Sequence, residues 1–551
     1  MDLVVFENNK PYVIDEFREG RFDYLELASD VAETKFFQFL FDRGVVERLA
    51  RDYPSPRQRH HVPLWMYVSS QLSLRLHGSH SFHSYPLIIR AGGLIDALGP
   101  EVARREVDPD TGDMSIWCAG FNGRNLGPRS TPCDQDYLRK LAKETAFEEL
   151  QRWYNRQVAQ LYGELGAYEE EGIFMGDGSY LFVPDNKNYE GSVRLLFDEH
   201  NHPVSKEEEK KMTPAQRDRC RWRRCYKVVF LLHCDRPGER FVVAGLKVLR
   251  GKEAEAPALW ELVDTFVEAV GQGVMKILIV DRGFIDGPQM GRLKTDYGVD
   301  TVIPIRKNMD ILQDVRGVVK LDMPWQEYRP ARRDPLTPPR AEHPTAAKRE
   351  KARQKTLSKK RAKALRENPP DPSKVLQRTM ITKVPGLTSW SDCPVPLTGV
   401  YSKDCYADGH EEDWLLVTTN PHWTAAEVRN LYALRTDIEE RHRHVKCFWD
   451  LTRFHSTAWS LIVSQTVFVS LTYSLLQLHL LEHGHEELNR RTRETTRRLL
   501  PDGDRVIIYR QQYFAFFTLM EHTELTLSLE GKARRKALAK ARLLQKEEPP
   551  C

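Results

Sequence analysis

At 551 residues the chain exceeds one compact domain, and two to four are expected. Hydrophobic content of 41% and aromatic content of 10% are ample for real cores. A net charge of +4 does not by itself single out nucleic acid as the partner, so any cationic surface must come from local clustering.

Residues 1–165 read as mostly helical. The stretch 35–52 mixes Phe36, Phe37, Phe39, Leu40 and Phe41 with charges, and Pro54, Pro56 and Pro63 mark a loop before a second helix, PLWMYVSSQLSLRLHG. Apolar residues recur at helical spacing through 137–168. From about 170 the pattern turns to short β-rich runs, beginning with GIFM and GDGSYLFV. YKVVFLLH and RFVVAGLKVL, separated by the turn-rich CDRPGE, predict a hairpin. A helical period over 257–270, the buried-strand run KILIV, a helix over 287–297 and the strand TVIPI follow. This order predicts a mixed α/β sheet with helices on its faces.

Residues 326–375 break the pattern. Between Arg332 and Arg366 there are thirteen Lys or Arg against three acids, an excess of ten in a Pro-rich setting, which reads as a solvated loop and an exposed basic helix. Such an excursion suits a phosphate backbone, where counterion release contributes to binding. Residues 377–418 are β-like again, and Thr424 is placed to cap the helix that follows. The tail over 532–546, KARRKALAKARLLQK, reads as a basic amphipathic helix.

Nine scattered cysteines, and an N-terminus without a basic-then-apolar signal, lead us to expect reduced thiols in a cytoplasm. Cys220, Cys225, His233 and Cys234 invite a zinc reading, but their spacing departs from the usual C-x2-C type. The stretch 460–481 has no formal charge and is long enough to span a bilayer. Its four Ser, two Thr, two Gln and one His favour a buried protein helix under the one that precedes it, and no membrane is expected.

Chemistry concentrates in three places. Asp177, in FMGDGSY, and Asp281, directly after KILIV, both follow apolar runs, and the crevice at strand C-termini is where open α/β sheets bind ligands. The glycines flanking Asp177 are expected to leave room for a ligand. Asp286, in GFIDG, is a rival for the second position. The third place is LYALRTDIEERHRHVK. On an ideal helix, with Tyr432 at zero, Arg435, Glu439, His442 and Lys446 all fall within a sector of roughly 80°, while Glu440 projects off that stripe. An ordinary solvated face with i,i+4 charge pairs would also give such a stripe.

Tyr432-x2-Arg435-x3-Glu439-x6-Lys446 resembles the Y-x2-R-x3-E-x6-K signature of DDE transposases in the IS-four group of bacterial insertion sequences, with the spacing matched at all four positions. The resemblance implies a ribonuclease-H-like core over 166–325 and 413–485, with a basic and β-rich insertion over 326–412 before the glutamate helix. It leaves 1–165 as a mostly helical domain for binding transposon-end DNA and 486–551 as a basic helical tail. It implies that Asp177, Asp281 and Glu439 hold two Mg²⁺ ions, with Mn²⁺ able to substitute, and that Tyr432, Arg435 and Lys446 contact DNA phosphates. His442 is expected as a further phosphate contact, and Arg282, beside Asp281, as another DNA contact. The implied partners are double-stranded DNA at the element's terminal inverted repeats, target DNA, and a second copy of the chain on synapsis. The implied place is the bacterial cytoplasm, at the nucleoid. Two other readings stand beside this one: a catalytically lapsed DNA-binding descendant, and a ribonuclease-H-like nuclease acting on RNA–DNA hybrids.

Overall fold

The computed structural model describes residues 7–28, 31–78, 80–91, 93–107, 114–118, 121, 131–238, 240–321, 323–330, 375–482, 505–511 and 513–544. The basic stretch from Arg332 to Arg366 lies outside the described residues.

The centre of the molecule is a ten-stranded sheet. Its first half is built from β1 (Ile173–Val183), β2 (Val193–Phe197), β3 (Arg221–Cys234), β4 (Phe241–Leu249), β5 (Ile277–Val280) and β6 (Asp300–Pro304). β3 runs antiparallel to β1 on one side and β4 on the other, and β2 shares the β4 side of β3 near its start. β1, β5 and β6 are parallel neighbours, giving the order β4-β3-β1-β5-β6. β5 reads ILIV and is buried at every position, as a central parallel strand covered on both faces must be. The crossovers are made by helices α1 (Glu255–Val270) and α2 (Gly287–Tyr297), and α3 (Asp310–Val318) follows β6.

The sheet continues through β7 (Gln326–Tyr328), β8 (Leu376–Leu387), β9 (Leu397–Tyr406) and β10 (Glu411–Thr418), all antiparallel, with β10 zipped onto β6. The β-rich segment expected over 326–412 therefore extends the main sheet, and its last strand reaches Thr418. α4 (Ala425–Ala433) opens with a capping box in which the Thr424 side chain accepts from the Glu427 amide, as the sequence predicts. α5 (Arg435–Arg443) follows after only Leu434 and ends in a π-helical turn, His444–Phe448. The run taken as one ideal helix is thus α4, a tight joint, α5 and a widened turn.

Side-chain alternation assigns the two faces. Phe174, Leu278 and Val280 belong to a core with α1, α2 and α3, while Ile173, Met175, Ile277 and Ile279 belong to the core beneath α4 and α5. Asp177 shares the parity of Ile173 and Met175, and Asp281 that of Ile277 and Ile279. Both aspartates therefore face α5.

α6 (Trp459–Glu482) is the one described helix long and apolar enough to cross a membrane, and almost all of it is buried within the protein. It packs on β4 and on the helices Leu64–Leu76, Gln135–Glu144 and Phe147–Trp153, and it meets the α5 segment mainly at its π turn. The helix is buried and packs against the stripe segment, as expected, where Arg441 Nη1 donates to the Tyr473 hydroxyl at 3.2 Å. It is in addition the spine joining the N-terminal helices to the sheet. Thr466 and Thr472 donate to the carbonyls of Ile462 and Phe468 one turn back, at 2.9 and 2.7 Å, and Ser474 Oγ accepts from the Val243 amide at 3.1 Å.

β4 is an edge strand, and an open edge is a liability. Side chains from the segment before β1 close it. Asn155 donates to the Leu246 carbonyl at 3.0 Å and accepts from its amide at 2.8 Å. Tyr154 donates to the Val243 carbonyl, and Gln151 accepts from the Val248 amide. The N-terminal helices accordingly share one hydrophobic core with the sheet.

The C-terminal segment, expected to be only helical, contains the hairpin Arg505–Arg510/Tyr513–Thr518, which pairs with Tyr24–Ala28 and Glu7–Asn8 in a separate four-stranded sheet. The helix Gly531–Leu544 confirms the helical reading of the tail as far as it is described.

Gly172 sets the start of β1. Its φ is +58°, a Cβ there would lie 2.3 Å from the Val274 carbonyl oxygen, and its own carbonyl accepts from the Lys276 and Ile277 amides. Gly172→Ala should cost about 2–3 kcal/mol. Gly166→Ala, at φ +70° but with open space around the added carbon, should cost about 1 kcal/mol. Urea unfolding of the two variants checks the difference, and equal losses would show that the Gly172 clasp does not matter.

Candidate active site

Asp177 sits midway along β1, where Oδ1 accepts from the Gly178 amide at 2.9 Å. Burial pushes its carboxyl up to about 7, against the pull of Arg435 and the Gly178 amide and with a further push from Asp281 and Glu439. Asp281 leaves β5 at its C-terminal end, and its Oδ1 accepts from the Arg282 amide at 2.7 Å. Glu439 projects from α5 with its side chain half exposed.

Arg435 joins the three. Its Nη1 donates to Glu439 Oε1 at 2.5 Å, and its Nη2 lies 3.4 Å from Asp281 Oδ2. The guanidinium is held charged: burial opposes this, but Asp281, Asp177, Tyr432 and Glu439 together raise its pKa. The two contacted carboxylates are separated by the width of one guanidinium. Among the described residues no three His, Cys, Asp or Glu are close enough to form a ready cation cage. Arg435 accounts for that spacing, since the cation at the centre of this cluster is a side chain.

Tyr432 packs beside Trp414, ring centroids 6.0 Å apart, and its hydroxyl is pushed up to about 12 by burial, with Arg435 opposing and Asp281 and Glu439 adding. Lys446 is carried to the sheet by the π turn, where its Nζ donates to Ser179 Oγ at 2.7 Å, and burial lowers its pKa. Ser179 lies two residues beyond Asp177 and so on the same face, a placement that period-two alternation makes readable in advance. Arg282 is exposed, and Arg306 donates to its carbonyl from Nη2 at 3.1 Å. Nothing in the sequence singles out Arg306.

Two expectations change, and three weaker readings fall away. His442 is 3% exposed and stacks flat on Phe230, the residue paired across the ladder with Asp177, at 4.7 Å between ring centres. Burial first, and Lys446 second, depress its pKa to about 3, so it is a neutral packing residue beneath the site and not a phosphate contact. The glycines around Asp177 do not make ligand room. A Cβ on Gly176 would strike Leu259 at 2.5 Å, and one on Gly178 would strike Glu255, so they admit α1 on the opposite face. Asp286 caps α2, accepting from the Gln289 amide at 3.1 Å, whereas it is Asp281 that lies beside Arg435. Glu440 is tied to Arg443 and faces His444. The zinc reading also fails on geometry. Cys225 and Cys234 lie nine residues apart on β3, roughly 30 Å at strand rise, and His233 Nε2 accepts from the Glu169 amide.

A profile of the transposase DDE domain matches residues 190–475, just over half of the sequence. The chain belongs to the transposase DDE-domain family. No curated protein matches it. The family match carries with it a ribonuclease-H-like α/β core, which agrees with the strand order β4-β3-β1-β5-β6, and a transposase function with DNA as partner. It covers Asp281, Tyr432, Arg435, Glu439 and Lys446 and begins after Asp177, which is tied to the others by its position in the sheet.

The raised Asp177 pKa has a stability consequence in the absence of divalent ions. The folded protein binds more protons than the unfolded chain between about pH 4 and 7, so stability falls as pH rises through that window. Asp177→Asn removes the buried charge. In chelator it should be more stable than the parent at pH 8, by on the order of 2–4 kcal/mol, and indistinguishable near pH 4. Urea midpoints at the two pH values decide this, and a variant no more stable at pH 8 would show that the Asp177 charge is not strained.

Proposed function

We propose that this transposase cuts DNA at the ends of an insertion sequence of the IS-four kind and joins the freed 3′-OH to target DNA, with Asp177, Asp281 and Glu439 as the catalytic and metal-holding carboxylates. The supporting observation is their convergence on Arg435 from two parallel strands and one helix. The donor set suits hard divalent cations, which prefer carboxylate oxygens, and a carboxyl forced up to about 7 by burial is one that a bound cation would return to its charged form. Two Mg²⁺ ions, or Mn²⁺ in their place, would stabilise the attacking and leaving oxygens of the phosphodiester.

The chain's own residues supply the rest. Asp177, central in the sheet and facing both partners, is positioned to be shared, while Asp281 and Glu439 approach from either side. Arg435 offers a planar fork for phosphate, Lys446 a point charge anchored on Ser179, and Tyr432 a protonated hydroxyl. Arg282 stands exposed at the rim as an additional DNA contact. Binding two element ends calls for a second copy of the chain, and the work belongs at the nucleoid.

A duplex carrying the element's terminal repeat should be nicked with Mg²⁺ or Mn²⁺ and left intact in chelator. Asp177→Ala, Asp281→Ala and Glu439→Ala should each lower the cleavage rate by about 10³ or more, equivalent to several kcal/mol of lost transition-state stabilisation, while end binding stays within a few fold. Retained cutting by any one variant removes that residue from the site. A parent protein that binds but never cuts would identify a lapsed descendant, and cleavage confined to an RNA–DNA hybrid would identify the nuclease.

A further inference from the structure

Two demands meet on one side chain. Arg435 is to grip a DNA phosphate, and a guanidinium does so best through two parallel N–H donors. Each of its terminal nitrogens already faces an acid: Nη1 donates to Glu439 Oε1 at 2.5 Å, and Nη2 lies 3.4 Å from Asp281 Oδ2. Nε is buried and has no hydrogen-bond partner. Any parallel pair therefore includes a nitrogen committed to a carboxylate. Asp177 also feels Arg435 more than any other charge. A single positive charge cannot balance these acids and a phosphate together.

The acids meet the same limit. A hard divalent ion binds through carboxylate oxygens, and one such oxygen on each of Asp281 and Glu439 is held by Arg435. An ion and a guanidinium drawn to the same two groups repel one another. The Arg435 side chain is only 18% exposed, so solvent screens that repulsion weakly.

We propose that Arg435 is an exchangeable counter-ion: its guanidinium and a divalent ion exclude one another at Asp281 and Glu439, and a backbone phosphate of DNA draws the guanidinium away and admits the ion. This exchange rests on the reading of Asp177, Asp281 and Glu439 as metal-holding. Charge stays paired throughout. The guanidinium passes from carboxylate to phosphate, and the ion takes over acids that would otherwise repel one another. Tyr432, one turn before Arg435 and within its electrostatic reach, and Lys446 on Ser179 flank it to receive the phosphate. DNA binding and metal binding are thereby coupled, each strengthening the other. With DNA away, the acids are kept together and the cutting centre is kept incomplete.

The test is Mn²⁺ binding to the full chain, followed by loss of the free-ion paramagnetic resonance signal, with and without a saturating duplex that carries the terminal repeat. The readout is binding, so a protein that never cuts still answers it. In the parent the duplex should tighten Mn²⁺ by about tenfold. Without duplex, Arg435→Gln should bind Mn²⁺ about tenfold more tightly than the parent, and duplex should then add less than about threefold. Arg435→Lys, which keeps the charge but not the fork, should fall between the two and serves where Arg435→Gln does not fold. An ion merely ligated by DNA phosphate would be tightened equally in every protein. Equal duplex effects in parent and variants, no duplex effect in the parent, or weaker Mn²⁺ binding by Arg435→Gln would each overturn the exchange and leave the metal-holding reading standing. No Mn²⁺ binding by any form, with or without duplex, would overturn both.

Discussion

Like charges converge at the centre of this protein, and one guanidinium keeps them there. Asp177 is buried enough for its carboxyl to be displaced to about 7, and two further acids stand within electrostatic reach. Without a cation among them such a cluster repels itself. Arg435 supplies that cation from the same helix as Glu439, one turn earlier, and touches Asp281 across the gap to β5. The i,i+4 pair that on a solvated helix would contribute only a few tenths of a kcal/mol here shares its guanidinium with a second acid in a partly desolvated setting.

Reaching that arrangement sets constraints on much of the fold. Asp177 and Asp281 face α5 only because both fall on one parity of two parallel neighbouring strands, and the Gly172 clasp fixes the start of that pairing. α1 must approach close enough on the other face to occupy the space above Gly176 and Gly178. α5 must sit low over the sheet, and the neutral His442 ring flat on Phe230 sets that height. The joint at Leu434 and the π turn then distribute the stripe: Tyr432 toward Trp414, Arg435 and Glu439 over the acids, Lys446 down to Ser179. π turns of this kind are often found at functional sites.

The parts legible in the sequence were those governed by local rules. KILIV followed by Asp281, the capping box at Thr424 and the clustering of Arg435 with Glu439 depend on neighbours within a few residues, and each is found where its pattern puts it. The ideal-helix projection placed His442 on the stripe correctly but could not say that this edge of it turns into the sheet. The glycines beside Asp177 read as open space because their occupants, Leu259 and Glu255, come from about eighty residues downstream. The C-terminal hairpin was hidden for the same reason: Arg505–Arg510 pairs with Tyr24–Ala28, at the other end of the chain.

The N-terminal helices are bound to the central sheet by more than contact. Gln151, Tyr154 and Asn155 satisfy the free edge of β4 as a neighbouring strand would, and α6 lies against both. Removing those helices would expose an edge strand and one face of a helix that is buried nearly all round, an arrangement water does not tolerate. A separable end-binding module attached by a linker is therefore inconsistent with this structure. These helices and the sheet that carries the carboxylates form one packed unit, with one hydrophobic core running through both.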